Sequence, residues 1–144
     1  MAVASAPAQA GRVVYLPFQA GTVFWRAGIE DLATLIVNAV EWVGGEPDLK
    51  VKAPSILEVS LRAKANLRMV HLMNLTGGRR FFRQIVPLRD VEVGLRGAAA
   101  RAYCLSDGKA LPLRQRDGRW WVNVDRVDDY DVVVFEGAAS AGQE

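Results

Sequence analysis

Two periodicities divide the chain. Leu32, Leu35, Ile36, Ala39, Val40 and Val43 recur at the three-and-four spacing of one helical face, with Asp31, Thr34, Asn38 and Glu41 opposite. The pattern predicts a helix over Ile29 to Val43. Glu30 and Asp31 stand in its first turn, where the helix dipole favours negative charge, and Gly44 and Gly45 can form a left-handed cap at its end. Ahead of it, Arg12 to Phe18 reads as a short apolar strand ended by Pro17. A loop through Gly21, Phe24, Trp25 and Gly28 joins the two.

From Pro47 onward the period changes to two. Leu57, Val59 and Leu61 alternate with Glu58, Ser60 and Arg62. Val91, Val93 and Leu95 alternate with Glu92, Gly94 and Arg96, and Trp120, Val122 and Val124 with Trp121 and Asn123. Leu67 to Leu75 is a strand apolar on both faces, and Val132 to Phe135 closes the set. Asp107-Gly108 and Asp117-Gly118 supply hairpin turns, so residues 99 to 124 read as a three-stranded meander. The expected fold is mainly β: an antiparallel sandwich of about seven or eight strands behind one strand-helix (βα) unit. The expected boundaries are a flexible tail over 1–10, the βα unit over 11–46, the sandwich over 47–136 and a second tail over 137–144.

One strand and one helix cannot cover each other's apolar surface, and this helix carries further apolar residues at Val37 and Trp42. The sandwich, a second copy of the chain, or the remainder of a larger protein should complete that layer.

Composition narrows the classes. Half of the 144 residues are apolar (51%) and 24% are charged, as in an ordinary folded protein, and a net charge of +2 provides no global field for an acidic partner. The apolar stretch Leu32 to Val43 is too short to span a bilayer and is broken by Thr34, Asn38 and Glu41, so no membrane role is expected. Cys104 is the single cysteine and allows no internal disulfide, which fits a reducing compartment but also an exported protein that uses none. Met1 to Ala10 lacks the basic and apolar regions of a signal peptide. Together these point to the cytoplasm.

Candidate chemistry is sparse. His71 is the only histidine and has no second histidine or nearby cysteine with which to hold a metal, so a structural role is expected. Asp125, Asp128, Asp129 and Asp131 could hold calcium, but turns favour aspartate in any case. Glu58 and Glu92 lie on solvent-facing strand positions and are weak candidates for paired catalytic carboxylates. Asn74-Leu75-Thr76 matches the glycosylation sequon. No catalytic residue, metal or cofactor is expected. The candidate interface or ligand surface comprises Phe24, Trp25, Trp42, Arg79, Arg80, Phe81, Phe82 and Trp121. The glycine, arginine and phenylalanine segment through Arg83 could grip a nucleic-acid backbone, which the low net charge disfavours. Trp121 is expected to point outward and Trp120 inward. An exposed Trp121, with Tyr103, would suit a carbohydrate-binding module, the alternative to an assembly surface.

The order of motifs carries a resemblance. Gly11 to Phe18, then Phe24-Trp25, then Leu35 to Trp42 resembles the last strand and helix of a glutamine-amidotransferase-like domain, similar to the trimerisation domain of bacterial beta-galactosidase-like glycoside hydrolases. Ile56 to Leu61 and Val70 to Thr76 resemble the opening strands of the small β-domain that follows in that family, and Asp129 to Phe135 its closing strand. The resemblance covers roughly residues 11 to 136. It implies the C-terminal region of a larger protein whose catalytic acid and nucleophile lie in an upstream barrel, so no catalytic residue carries over. With the orphan strand and helix and the exposed aromatics, the expected function is a non-catalytic accessory module, related to glycoside hydrolases, that works by packing and self-association.

Overall fold

The chain divides at Pro47 into two units, Met1–Pro47 and Asp48–Glu144. The computed structural model describes residues 4–8, 11–78 and 84–137.

In the first unit, β1 (Ala4–Ala8) pairs antiparallel with β2 (Gly11–Tyr15), Ala6 standing opposite Val13. The expected tail over 1–10 thus contains a strand. The alanine-rich stretch has no amphipathic signal of its own, and only the neighbouring strand gives its backbone groups partners. The loop expected around Phe24 and Trp25 is a helix, α1 (Ala20–Ala27). It ends at Gly28, whose φ of +65° lets its N–H reach the Phe24 carbonyl at 2.8 Å. Gly21 and Thr22 weaken the helical signal in so short a segment, and contact with the next helix supplies what propensity lacks. That helix, α2, runs Glu30–Gly44, within a residue of expectation; Gly45 (φ +76°) closes it by donating to the Glu41 carbonyl at 2.8 Å. The expected βα unit is therefore ββαα.

The second unit is built of antiparallel strands in two sheets, as the alternation predicts. One holds four strands in the order β3 (Leu49–Lys52), β6 (Leu88–Arg96), β10 (Arg119–Val127), β9 (Arg114–Arg116). The other holds five, in the order β4 (Leu57–Lys64), β5 (Leu67–Asn74), β11 (Tyr130–Glu136), β7 (Arg101–Cys104), β8 (Ala110–Leu111). The expected meander over 99–124 is in fact two hairpins on different sheets, because the chain leaves the five-stranded sheet after Leu111 and joins the four-stranded sheet at Arg114. Both turn signals are used: Gly108 has φ +70°, and Asp117 and Gly118 have φ +53° and +69°.

The core lies between the inner faces. Val91, Val93, Leu95, Val122 and Val124 meet Val70, Leu72, Ala102, Cys104, Val133 and Phe135. The alternation breaks at Asp90, which takes φ +54° within β6. Below the break, Leu88 and Val127 face each other in register and both return to the core, three residues from Val91 and Val124.

Candidate functional site

Three surfaces carry the residues with chemical or interface potential.

The first is the apolar side of the first unit. Helix α2 has no buried residue: Val37 is exposed, as are Val40, Trp42 and Val43. Val14 and Leu16 meet Ile36, Ala39, Val40 and Val43 along an open groove of about 370 Å³. Trp25 is 84% exposed, while Phe24 is half-buried. Trp42 is partly covered by Arg12, whose guanidinium stands 5.4 Å from the ring centroid and donates from Nη1 to the Trp42 carbonyl at 2.9 Å.

The second is the outer face of the four-stranded sheet. The register places Lys50 and Lys52 of β3, Glu92 and Gly94 of β6, Trp121 and Asn123 of β10, and Arg114 and Arg116 of β9 on one side. Trp121 is on the outer face as expected, but it is covered, with only 7% of its surface exposed. The ring lies over Gly94, with Arg116 at 4.5 Å and Lys52 at 5.4 Å from its centroid, and its indole N–H donates to the Arg116 carbonyl at 3.1 Å. Glu92 accepts from Arg116 at 3.0 Å and lies 3.2 Å from Lys52. Those two cations, Arg116 first, hold its carboxyl below the usual range. A groove of about 430 Å³ crosses this face between Pro112, Arg114, Arg116, Trp121 and Asn123. Asp125 lines its end, also held below the ordinary value, by Lys109 at 2.7 Å. This groove was not anticipated from sequence. Its signal is the Asp117-Gly118 turn, which fixes Arg114 opposite Trp121 once the hairpin is recognised.

The third is the outer face of the five-stranded sheet. Val132 and Val134 are buried there between flanking side chains, opposite His71 and Met69 in the register. His71 Nδ1 lies 2.5 Å from the Tyr130 hydroxyl, which gives the only histidine a structural partner. Tyr103 is on this face as well, stacked under the Arg101 guanidinium at 5.4 Å. It belongs to the opposite sheet from Trp121, so the two aromatics expected to flank a sugar groove face away from each other.

The acidic cluster is dispersed into local bonds. Asp128 accepts from Arg126 at 2.6 Å, Asp129 from the Tyr130 N–H at 2.8 Å, and Asp131 from the Ser106 hydroxyl at 2.9 Å. Among the described residues no group of three or more His, Cys, Asp or Glu is placed to hold a metal. The sequon asparagine, Asn74, is 7% exposed. Its amide donates to the carbonyls of Asp128, Val86 and Val127 at 2.5, 2.8 and 3.4 Å, so its nitrogen is withdrawn from solvent. Arg79, Arg80, Phe81 and Phe82 lie outside the described residues. No helix among the described residues is long and apolar enough to cross a membrane.

No family model matches the chain, and no curated protein matches it in sequence. Its fold nevertheless recurs in alpha-L-fucosidase isoenzyme 2 from Paenibacillus thiaminolyticus: the match covers 86% of this chain and 20% of that one, at a TM-score of 0.71 and 18% identity. At that identity the likeness concerns fold alone. It covers more of this chain than the Asp48–Glu144 unit can supply, so it reaches into the first unit. The chain spans one fifth of that enzyme's length, and the beta-galactosidase-like family named by the sequence resemblance is not singled out by it.

Proposed function

We propose that this chain is a non-catalytic assembly module, related to the C-terminal regions of glycoside hydrolases such as the beta-galactosidase-like enzymes, and that it acts by self-association through its first unit. The observation that carries this reading is the apolar face of α2. No side chain of this fifteen-residue amphipathic helix is fully buried: Leu32, Leu35, Ile36 and Ala39 are half-buried, and Val37, Val40, Trp42 and Val43 are left in water. Covering such a stripe contributes about 25 cal/mol per Å² of apolar surface removed. A second copy, presenting the same face across a two-fold axis, would cover it.

The carboxylates support the non-catalytic part. A glycosidase needs one acid whose pKa is raised so that it can donate a proton. Glu92 and Asp125, which share a groove, are both lowered by neighbouring cations and stay ionised.

Light scattering coupled to size exclusion tests the assembly. The wild-type chain is expected to associate at micromolar concentration, and the double variant Val40→Asp, Val43→Asp to elute as a monomer. A wild-type monomer at high micromolar concentration would overturn self-association and leave the face to the remainder of a larger protein. Turnover of a chromogenic galactoside or fucoside by the pure chain, lost on changing Glu92 to Gln, would overturn the non-catalytic reading.

A further inference from the structure

The groove on the outer face of the four-stranded sheet is independent of the apolar face of α2 and invites its own reading. Lys50, Lys52, Arg96, Arg114 and Arg116 share this face with one carboxylate between them, Glu92, and with Asp125 at its end. Glu92 is bound by Arg116 and Lys52, and Asp125 by Lys109. Asp117 also lies 3.8 Å from Arg116, and these ion pairs hold the side chains around the groove in place. Arg114 is exposed, lines the groove and has no ion-pair or hydrogen-bond partner among the described residues. Its guanidinium is a planar five-donor fork matched to carboxylate or sulfate oxygens. Asn123 adds an amide donor and acceptor along the groove, and Pro112 gives it an apolar wall. The volume of about 430 Å³ falls within the range of small-ligand pockets, about 300–1,000 Å³.

We propose that this groove binds an anionic saccharide, with Arg114 pairing the acidic substituent and the amide of Asn123 bonding the ring hydroxyls. Burial of Trp121 decides against single-stranded nucleic acid, which needs open aromatic faces for its bases to stack on. A saccharide carrying one acidic group per ring needs only the cation, the amide and an apolar wall. Uronate carboxylate and sulfate ester offer the same chemistry to Arg114.

Calorimetry on the intact chain tests this with three probes of matched length: an oligogalacturonate, a sulfated galacto-oligosaccharide and a neutral galacto-oligosaccharide. One or both anionic probes should bind, the neutral one at least about tenfold more weakly, and affinity should fall as salt rises. Whichever anionic probe binds more tightly identifies the acidic group. Arg114→Ala should weaken binding by about tenfold or more, and Arg62→Ala, an exposed arginine on the other sheet, should leave it unchanged. The Trp121 indole N–H resonance, beside the groove, should shift on titration and report binding in any folded variant. Three outcomes would overturn the proposal: equal binding of the neutral probe, an anionic affinity insensitive to Arg114→Ala but lost on replacing Arg79, Arg80 and Arg83, or tighter binding of a thymidine oligonucleotide than of either anionic saccharide.

Discussion

Trp121 lies flat on Gly94 of the neighbouring strand: a Cβ at position 94 would fall 2.6 Å from the indole ring. The missing side chain is what lets a tryptophan sit on the outer face of a sheet and still be buried. Gly94→Ala should therefore displace a rigid ring, not a flexible chain end, and cost about 1–3 kcal/mol. Urea unfolding followed by tryptophan emission measures it. A Gly94→Ala protein as stable as the parent, with unchanged emission, would show that the ring can move aside freely.

Asn74 ties the Val86 carbonyl, the Val127 carbonyl at the end of β10 and the Asp128 carbonyl beyond it to the end of β5. Asn74→Ala removes their donor and should destabilise by about 1–3 kcal/mol. Asn74→Asp should be worse, since it faces those carbonyls with a carboxylate. In a secretory host the folded chain should keep its unmodified mass at Asn74 despite the sequon, which mass spectrometry would read.

Burial, and then the nearby Asp131 carboxylate, pushes the Cys104 thiol up from 9.0 to about 12. The unfolded chain loses this proton first as pH rises, so the contribution to stability is complete below pH 9.0 and is lost progressively toward about 12. Native Cys104 should resist a disulfide exchange reagent at pH 8 and react at once in denaturant. Rapid labelling of the native protein would mean that β7 opens locally.

The Glu92 and Asp125 carboxyls are lowered from 4.5 and 3.8 by their cationic partners. Their stabilising contribution is present above those unfolded values and is lost as pH falls through the lower folded ones. Asp125 is exposed and Glu92 is only half-buried, so the effect should be small and should fade in high salt. Acid titrations of Glu92→Gln and Asp125→Asn at low and high ionic strength would check this, each variant being expected to flatten the acid limb at low salt only.

The α2 helix, the alternating strands and both Asp-Gly turns were legible because each is a local property: one apolar face, one period, one pair of residues that tolerate positive φ. Strand β1 and helix α1 were not legible, since Ala4–Ala8 and Ala20–Ala27 lack a strong period and owe their form to neighbours. The candidate sites divide the same way. The exposed Trp42 and the unburied face of α2 follow from a helix with too many apolar residues. The groove at Arg114 depends on which strands become neighbours.

The alternation of Trp120 and Trp121 determined by itself that one faces the core and the other faces away. It could not determine that the outward one is buried. That depended on the pairing of β10 with β6 and β9, which sets Gly94 beneath the ring and Arg114 and Arg116 beside it. Periodicity assigns a residue to a face. What covers that face comes from strands distant in sequence, and only their packing decides it.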